Sequence, residues 1–435
     1  MPIRIELSHL LEDTRIGRFQ LAILAWCFLV LIIDGFDTQA IGYVAPLLIS
    51  HLGVGRGAFG PVFGAGLGGI FAGALLLGAI ADRYGRKPAI IGGLTLFGLC
   101  TLATVFVGSV QQLCVLRFVT GLGLGGAMPN AIALMTEYAP RNRRAFLATV
   151  MVCGFSVGAA LGGFLAAELI ELFGSSSVFL FGGILPFAIL PFLVFKLPES
   201  LRFLALKGGD ARTIRSIAAR MRPDLAISPD AVFVTDEPDV PGFPVRSLFT
   251  DGRGRFTLLL WCAFATNLMV LYFVISWTPT LISAAGMSVR QGVFATSLFQ
   301  VDGAVGTIGI GRLVDRFGPF ALLIAFVGAP ITLMVLGVTA DTPGLLLAIL
   351  TVLGACVVGG QSGMNVFTGI AYPTSIRSTG AGWALGIGRV GSVAGSMIGG
   401  VLVGGEWSLG DQFLLAALSG VPPLLRRPRL RWPCR

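Results

Sequence analysis

The chain has 435 residues, of which 55% are hydrophobic and only 12% charged, and its mean hydropathy is +0.86. Soluble domains carry about 25% charged residues, so a water-soluble enzyme of this composition would need a larger apolar core than a single domain builds. The net charge of +9 does not point to nucleic acid, because the arginines sit in short clusters between apolar runs and form no face or stripe.

The 61 glycines fit a membrane protein, since glycine is costly in a water-exposed helix but lets helix backbones approach closely in lipid. Six of the seven cysteines (Cys27, Cys100, Cys114, Cys153, Cys262 and Cys356) lie in or beside apolar segments, none with CxxC spacing. Neither a disulfide framework nor a metal site is expected, and no cofactor loop is present.

Residues 1–19 are polar and amphipathic, without a cleavable-signal pattern, so the first span is expected to insert directly. A helix crosses the hydrocarbon core with about 20 apolar residues. On that rule spans fall near 20–44, 58–80, 89–108, 112–136, 146–172 and 177–196. A polar stretch, 197–254, follows, and spans resume near 256–281, 292–313, 320–340, 344–371 and 379–404. A twelfth span is expected to begin near Gln412 and to be cut short by the prolines and arginines after Val421.

Arg83, Arg86 and Lys87 follow span 2, Arg141, Arg143 and Arg144 follow span 4, Arg312 and Arg316 follow span 8, and Arg377 follows span 10. Basic loops after even-numbered spans predict a cytoplasmic N-terminus. Both termini are then cytoplasmic if the twelfth span forms, in a multi-pass protein of the cell inner membrane. The Asp82-Arg-Tyr-Gly-Arg run is echoed at Asp315-Arg-Phe-Gly-Pro, 233 residues later, and Tyr138 to Arg143 at Tyr372 to Arg377, 234 residues later. Such an offset marks two homologous halves. The expected organisation is all-α: a six-helix bundle over 1–196, a cytoplasmic loop over 197–254, and a second bundle over 255–435.

The run Gly78 to Lys87 resembles the signature loop of the major facilitator superfamily, and Leu197-Pro-Glu199-Ser resembles that superfamily's motif after helix 6. A carboxylate at the end of span 2 beside arginines can pair across to helix 11 or to a neighbouring loop, and breaking such pairs lets one bundle rock against the other. The expected gating group is Asp82, Arg83, Gly85 and Arg86, with Arg117, Glu137, Asp315 and Arg377.

Within span 1 stand Asp34 and Asp37, three apart and so on one helix face. Intramembrane acids are costly and functional by default, so these two are expected to carry the coupling proton, Asp37 having the alternative role of bracing a neighbouring helix. Composition and spacing alone stop at a secondary transporter, with a proton as the expected coupling ion. The run DGFDTQAIGYVAP further resembles the helix 1 signature of the aromatic acid:proton symporters of that superfamily. So do Arg117 to Asn130 in span 4 and Tyr372 to Arg389 in spans 10 and 11. The resemblance covers about residues 15–410 and implies the major facilitator fold and proton-linked uptake of benzoate-like carboxylates.

Arg389 lies inside span 11, where a guanidinium is expensive and is the natural bidentate clamp for a carboxylate. The alternative is an internal salt bridge to Asp34, Asp37 or Asp302. Asn130, Tyr272, Gln300, Asn365 and Trp383 are further substrate-binding candidates, although polar residues also join helices. Gly123-Leu-Gly-Leu-Gly126 follows no strand, so it reads as helix packing and not as a nucleotide loop. The two histidines, His9 and His51, lie outside the spans, which excludes a histidine relay in the bundle. Asp302 in span 8 departs from the small residue common there in the family. The expected partners are an aromatic carboxylate, protons and the bilayer, with a single chain as the functional unit. A different organic acid, a sugar or a drug as cargo, or a sensor that binds without flux, remains the alternative.

Overall fold

Among the described residues, eleven long helices carry the chain. The computed structural model describes residues 4–6, 16–140, 143–207, 211–221, 232–234, 244–250, 252–317, 321–339, 343–372, 376–405, 407 and 410–414. In chain order the long helices are α1 (Arg18–Leu52), α2 (Phe59–Tyr84), α3 (Arg86–Ala103), α4 (Val110–Tyr138), α5 (Arg144–Phe173), α6 (Ser176–Lys196), α7 (Gly254–Ala284), α8 (Val289–Phe317), α9 (Ala321–Val338), α10 (Pro343–Ala371) and α11 (Arg377–Gly404). Among the described residues ten are long and apolar enough to cross a membrane, and the apolar part of α9, Leu322–Val338, is slightly shorter. Lipid offers no hydrogen-bond partners to the backbone, so the spanning segments satisfy their own groups as helices. Large apolar side chains such as Leu75, Leu161, Val305, Ile324 and Val401 are left exposed on the helices, as lipid-facing residues should be. Of the expected twelfth span, only Gly410 to Leu414 is described as helix; the rest of that expectation lies outside the described residues.

Contacts divide the chain into two units, Met1–Val54 with Ala65–Pro241, and Gly55–Gly64 with Gly242–Arg435. The units repeat one packing scheme. In the first, α1 packs on α5 and α3 on α4; in the second, α7 packs on α11 and α9 on α10. The glycines explain why. A Cβ on Gly158 of α5 would lie 2.0 Å from the Ile32 carbonyl oxygen, and one on Gly391 of α11 would lie 2.0 Å from that of Ala265. Gly154, Gly158 and Gly162 form a ladder at every fourth residue, and Gly391, Gly395 and Gly399 repeat it 237 residues later. The same logic closes α2 on α4 through Gly69, Gly73, Gly121 and Gly125, and α8 on α10 through Gly306 and Gly354. Small residues at these positions supply the close van der Waals packing that joins helices in lipid.

The halves also repeat an aromatic latch. Tyr138, at the end of α4, meets Phe19 of α1 edge-on at 5.9 Å, and its hydroxyl donates to the Glu199 carbonyl oxygen. Tyr372, just after α10, meets Phe256 of α7 at 5.7 Å and donates to Thr257 Oγ1 at 3.1 Å.

The polar stretch after α6 is more ordered than its composition suggests. It contains the helices Leu201–Leu206 and Ala211–Met221 and a 3-10 turn, Pro244–Leu248. Ile214, Ile217, Ala218 and Met221 are buried while Arg212 and Arg220 are exposed, so Ala211–Met221 is amphipathic at helical spacing. Arg220 lies over the Phe19 ring at 4.6 Å. A short parallel pairing of Arg4–Glu6 with Val232–Val234 has no signal in the apolar pattern.

Candidate functional site

The signature loop between α2 and α3 folds around a carboxylate it does not itself contain. Gly85 has φ of 107°, a left-handed conformation that favours glycine, and a Cβ there would lie 2.3 Å from Glu199 Oε2. That space lets Glu199 Oε1 accept from the backbone N–H groups of Arg86 at 2.8 Å and Lys87 at 3.2 Å, and of Ser200 at 2.7 Å. A carboxylate thus fills the N-terminus of α3, where the helix dipole favours negative charge. Arg86 then reaches three ways: to Asp82 Oδ1 at 3.3 Å, to Glu137 Oε1 at 3.7 Å, and to Asn130 Oδ1 at 3.1 Å. Ser200 caps its short helix by accepting from the Phe203 N–H at 3.0 Å, and its hydroxyl donates to Glu137.

The structure therefore gathers Asp82, Gly85, Arg86 and Glu137 in one cluster, and adds Asn130, Glu199 and Ser200. Asp82 pairs with Arg86, within the signature run itself. Arg83 is exposed, its guanidinium 5.4 Å from the Tyr84 ring. Arg377, the first residue of α11, is also exposed. Asp315 lies near the end of α8, and its side chain lies outside the described residues. Asn130, expected on the substrate, has its amide taken by the Gly126 carbonyl at 2.7 Å and by Arg86.

Arg117 has the most fully buried charged contacts of the group. Named with the gating charges, it lies within α4, as its place in span 4 implied, and is buried to 3% exposure. Its Nη1 is 3.8 Å from Asp37 Oδ2, its Nη2 donates to Thr104 Oγ1 at 2.9 Å, and its guanidinium lies 5.2 Å from the Phe179 ring centre. Asp37 is itself buried and accepts from Thr101 Oγ1 at 2.7 Å. One ion pair thus ties α1, α3, α4 and α6, and it is looser than a hydrogen bond. Asp34, one turn away and equally buried, accepts from Thr38 Oγ1 at 3.2 Å. Gln39 is missed by the sequence reading. It is buried, and neither atom of its side-chain amide has a hydrogen-bond partner among the described residues, a costly arrangement.

In the second unit Arg389 lies midway along α11 and half-buried. Its Nη1 donates to the Tyr272 hydroxyl of α7 at 3.3 Å. Among the described residues of this unit no carboxylate pairs with it, so the salt bridge to Asp302 is not formed. Gln300 is buried at 3% exposure, and Asn365 is exposed. Trp383 stacks on Trp261 at 5.7 Å against a core that includes Phe264, Leu322 and Tyr372, a packing role.

No nucleophile–base pair appears in these arrangements; they are charges held in a bundle. The family model of the Major Facilitator Superfamily matches residues 27–396. The gallate transporter of Pseudomonas putida is 40% identical over 422 residues, covering 96% of this chain and 92% of that protein. The 4-hydroxybenzoate transporter PcaK of Acinetobacter baylyi is 39% identical over 408 residues, covering 93% and 89%. The benzoate transport protein of the same organism is 31% identical over 411 residues, covering 93% and 88%. Among solved structures, a partially occluded inward open form of the xylose transporter XylE from E. coli matches with a TM-score of 0.72 at 18% identity, over 93% of this chain and 96% of that one, a likeness of fold alone. The chain is a multi-pass membrane transporter and not an enzyme, and it belongs to the Major Facilitator Superfamily, alongside these aromatic acid transporters.

Proposed function

We propose that the chain imports aromatic carboxylates together with protons across the cell inner membrane, by alternating access of its two bundles. It works as a single chain, its N-terminus cytoplasmic and its C-terminus cytoplasmic too if the twelfth span forms. The observation that carries this reading is Arg389: a guanidinium midway along a membrane helix whose partner within its own unit is a phenol. A cation at that depth needs an anion to offset its cost, and a substrate carboxylate matches its planar fork. The relatives named for gallate, 4-hydroxybenzoate and benzoate support an aromatic ring behind that carboxylate. The basic loops after even-numbered spans support the orientation.

Of the two acids in α1, Asp37 is already committed to Arg117 and Thr101. Asp37 braces the bundle through these contacts, and the exchangeable proton is assigned to Asp34, a second buried acid midway along α1. In proteoliposomes, Asp34→Asn should keep exchange of 4-hydroxybenzoate or benzoate across the membrane, which needs no net proton movement. It should lose accumulation driven by a pH gradient. Absence of exchange by the unaltered protein for any aromatic acid would overturn the reading, as would full pH-driven accumulation by the variant.

A further inference from the structure

Among the described residues, five charged side chains stand seven or more residues from both ends of their spanning helices: Asp34, Asp37, Arg117, Asp302 and Arg389. Three are acids and two are arginines. Asp37 and Arg117 neutralise one another. Asp34 and Arg389 balance in the sum, and a proton on Asp34 with a carboxylate on Arg389 leaves that sum unchanged. Asp302 is the charge left over.

Its placement makes the surplus costly. Asp302 is the fourteenth of the 29 residues of α8, about 20 Å from either end of the helix at 1.5 Å per residue, and it is half-buried. It takes part in no hydrogen bond or ion pair among the described residues. On its own helix the charged groups are Arg290, Arg312, Asp315 and Arg316, all toward the ends. The helices packed on α8 are α7, α9 and α10. Their titratable and charged groups are Arg255, at the start of α7, with Cys262, Tyr272 and Cys356; none bonds to Asp302. A lone carboxylate at mid-membrane depth is disfavoured unless it is neutralised, and the neutralising species available to a carboxylate without a cation is a proton.

We propose that Asp302 is a second proton-binding group, so that each aromatic carboxylate enters with two protons and the cycle moves one net positive charge inward. This rests on the proton-coupled import proposed above. The loaded carrier holds one monoanion and two protons, and both protons leave to the cytoplasm with the substrate, so the empty carrier returns with Asp34 and Asp302 ionised.

The test uses the full chain in proteoliposomes with labelled 4-hydroxybenzoate and benzoate, under a potassium diffusion potential or a pH gradient applied separately. The unaltered protein should accumulate substrate under either drive, with a limit near fiftyfold per 100 mV of inside-negative potential. Asp302→Asn should lose the response to potential and keep the response to the pH gradient, and Asp302→Glu should keep both. Potential-driven accumulation by the Asn variant equal to that of the unaltered protein would overturn the proposal. Independently of any variant, simultaneous proton and substrate uptake should give a ratio near two; a ratio of one overturns it while leaving proton-coupled import intact. No response of the unaltered protein to the pH gradient overturns import with protons, and this inference with it.

Discussion

Replacing Arg117 with leucine is expected to abolish uptake and to lower the stability of the purified protein by about 3–5 kcal/mol, the usual cost of stranding one member of a buried ion pair. The arginine is almost fully buried, faces Asp37 at 3.8 Å and also holds Thr104, so its loss leaves a carboxylate uncompensated among α1, α3, α4 and α6. Adding Asp37→Asn to the same chain should recover most of the stability, because the stranded charge is gone. Thermal unfolding in detergent measures both. If the single and double variants unfold together, well below the unaltered protein, Arg117 acts through packing on Phe179 and not through charge.

At Arg389 the expected loss is in binding. Arg389→Ala should weaken the half-saturation concentration for 4-hydroxybenzoate or benzoate by about ten- to a hundredfold, the range of 1.5–3 kcal/mol for hydrogen bonds to a charged group. Arg389→Lys keeps the charge but loses the planar fork, and should weaken affinity severalfold. A neutral amide such as benzamide should compete poorly with the unaltered protein. Equal competition by the acid and its amide, or normal affinity in the lysine variant, would assign Arg389 to internal charge balance instead.

The spans were legible because each needs one local signal, a run of about 20 apolar residues. The two-fold repeat was legible at the loop motifs, where Asp82 and Asp315 mark the same place in each half. The glycine ladders of α5 and α11 repeat as clearly in the letters, yet their meaning depends on which helix lies opposite, and that is a tertiary fact. The same limit explains Arg117. Its neighbours in the chain suggest a motif at the head of a span, whereas its role is set by Asp37, 80 residues earlier. Glu199 was visible as part of a motif, but its place at the N-terminus of α3 follows from the missing Cβ of Gly85. Asn130 had the chemistry for a substrate, and the reach of Arg86 across the loop claimed it. The amphipathic pattern of Ala211–Met221 lay in a stretch whose average polarity hid it.

The most direct test of the account is uptake by cells expressing the chain, given labelled benzoate, 4-hydroxybenzoate, protocatechuate, gallate and gentisate, with and without a protonophore. Accumulation of at least one of these acids above the external concentration, collapsed by the protonophore, is the predicted result. Accumulation that survives the protonophore, or uptake of none of the acids alongside uptake of a sugar, would contradict it.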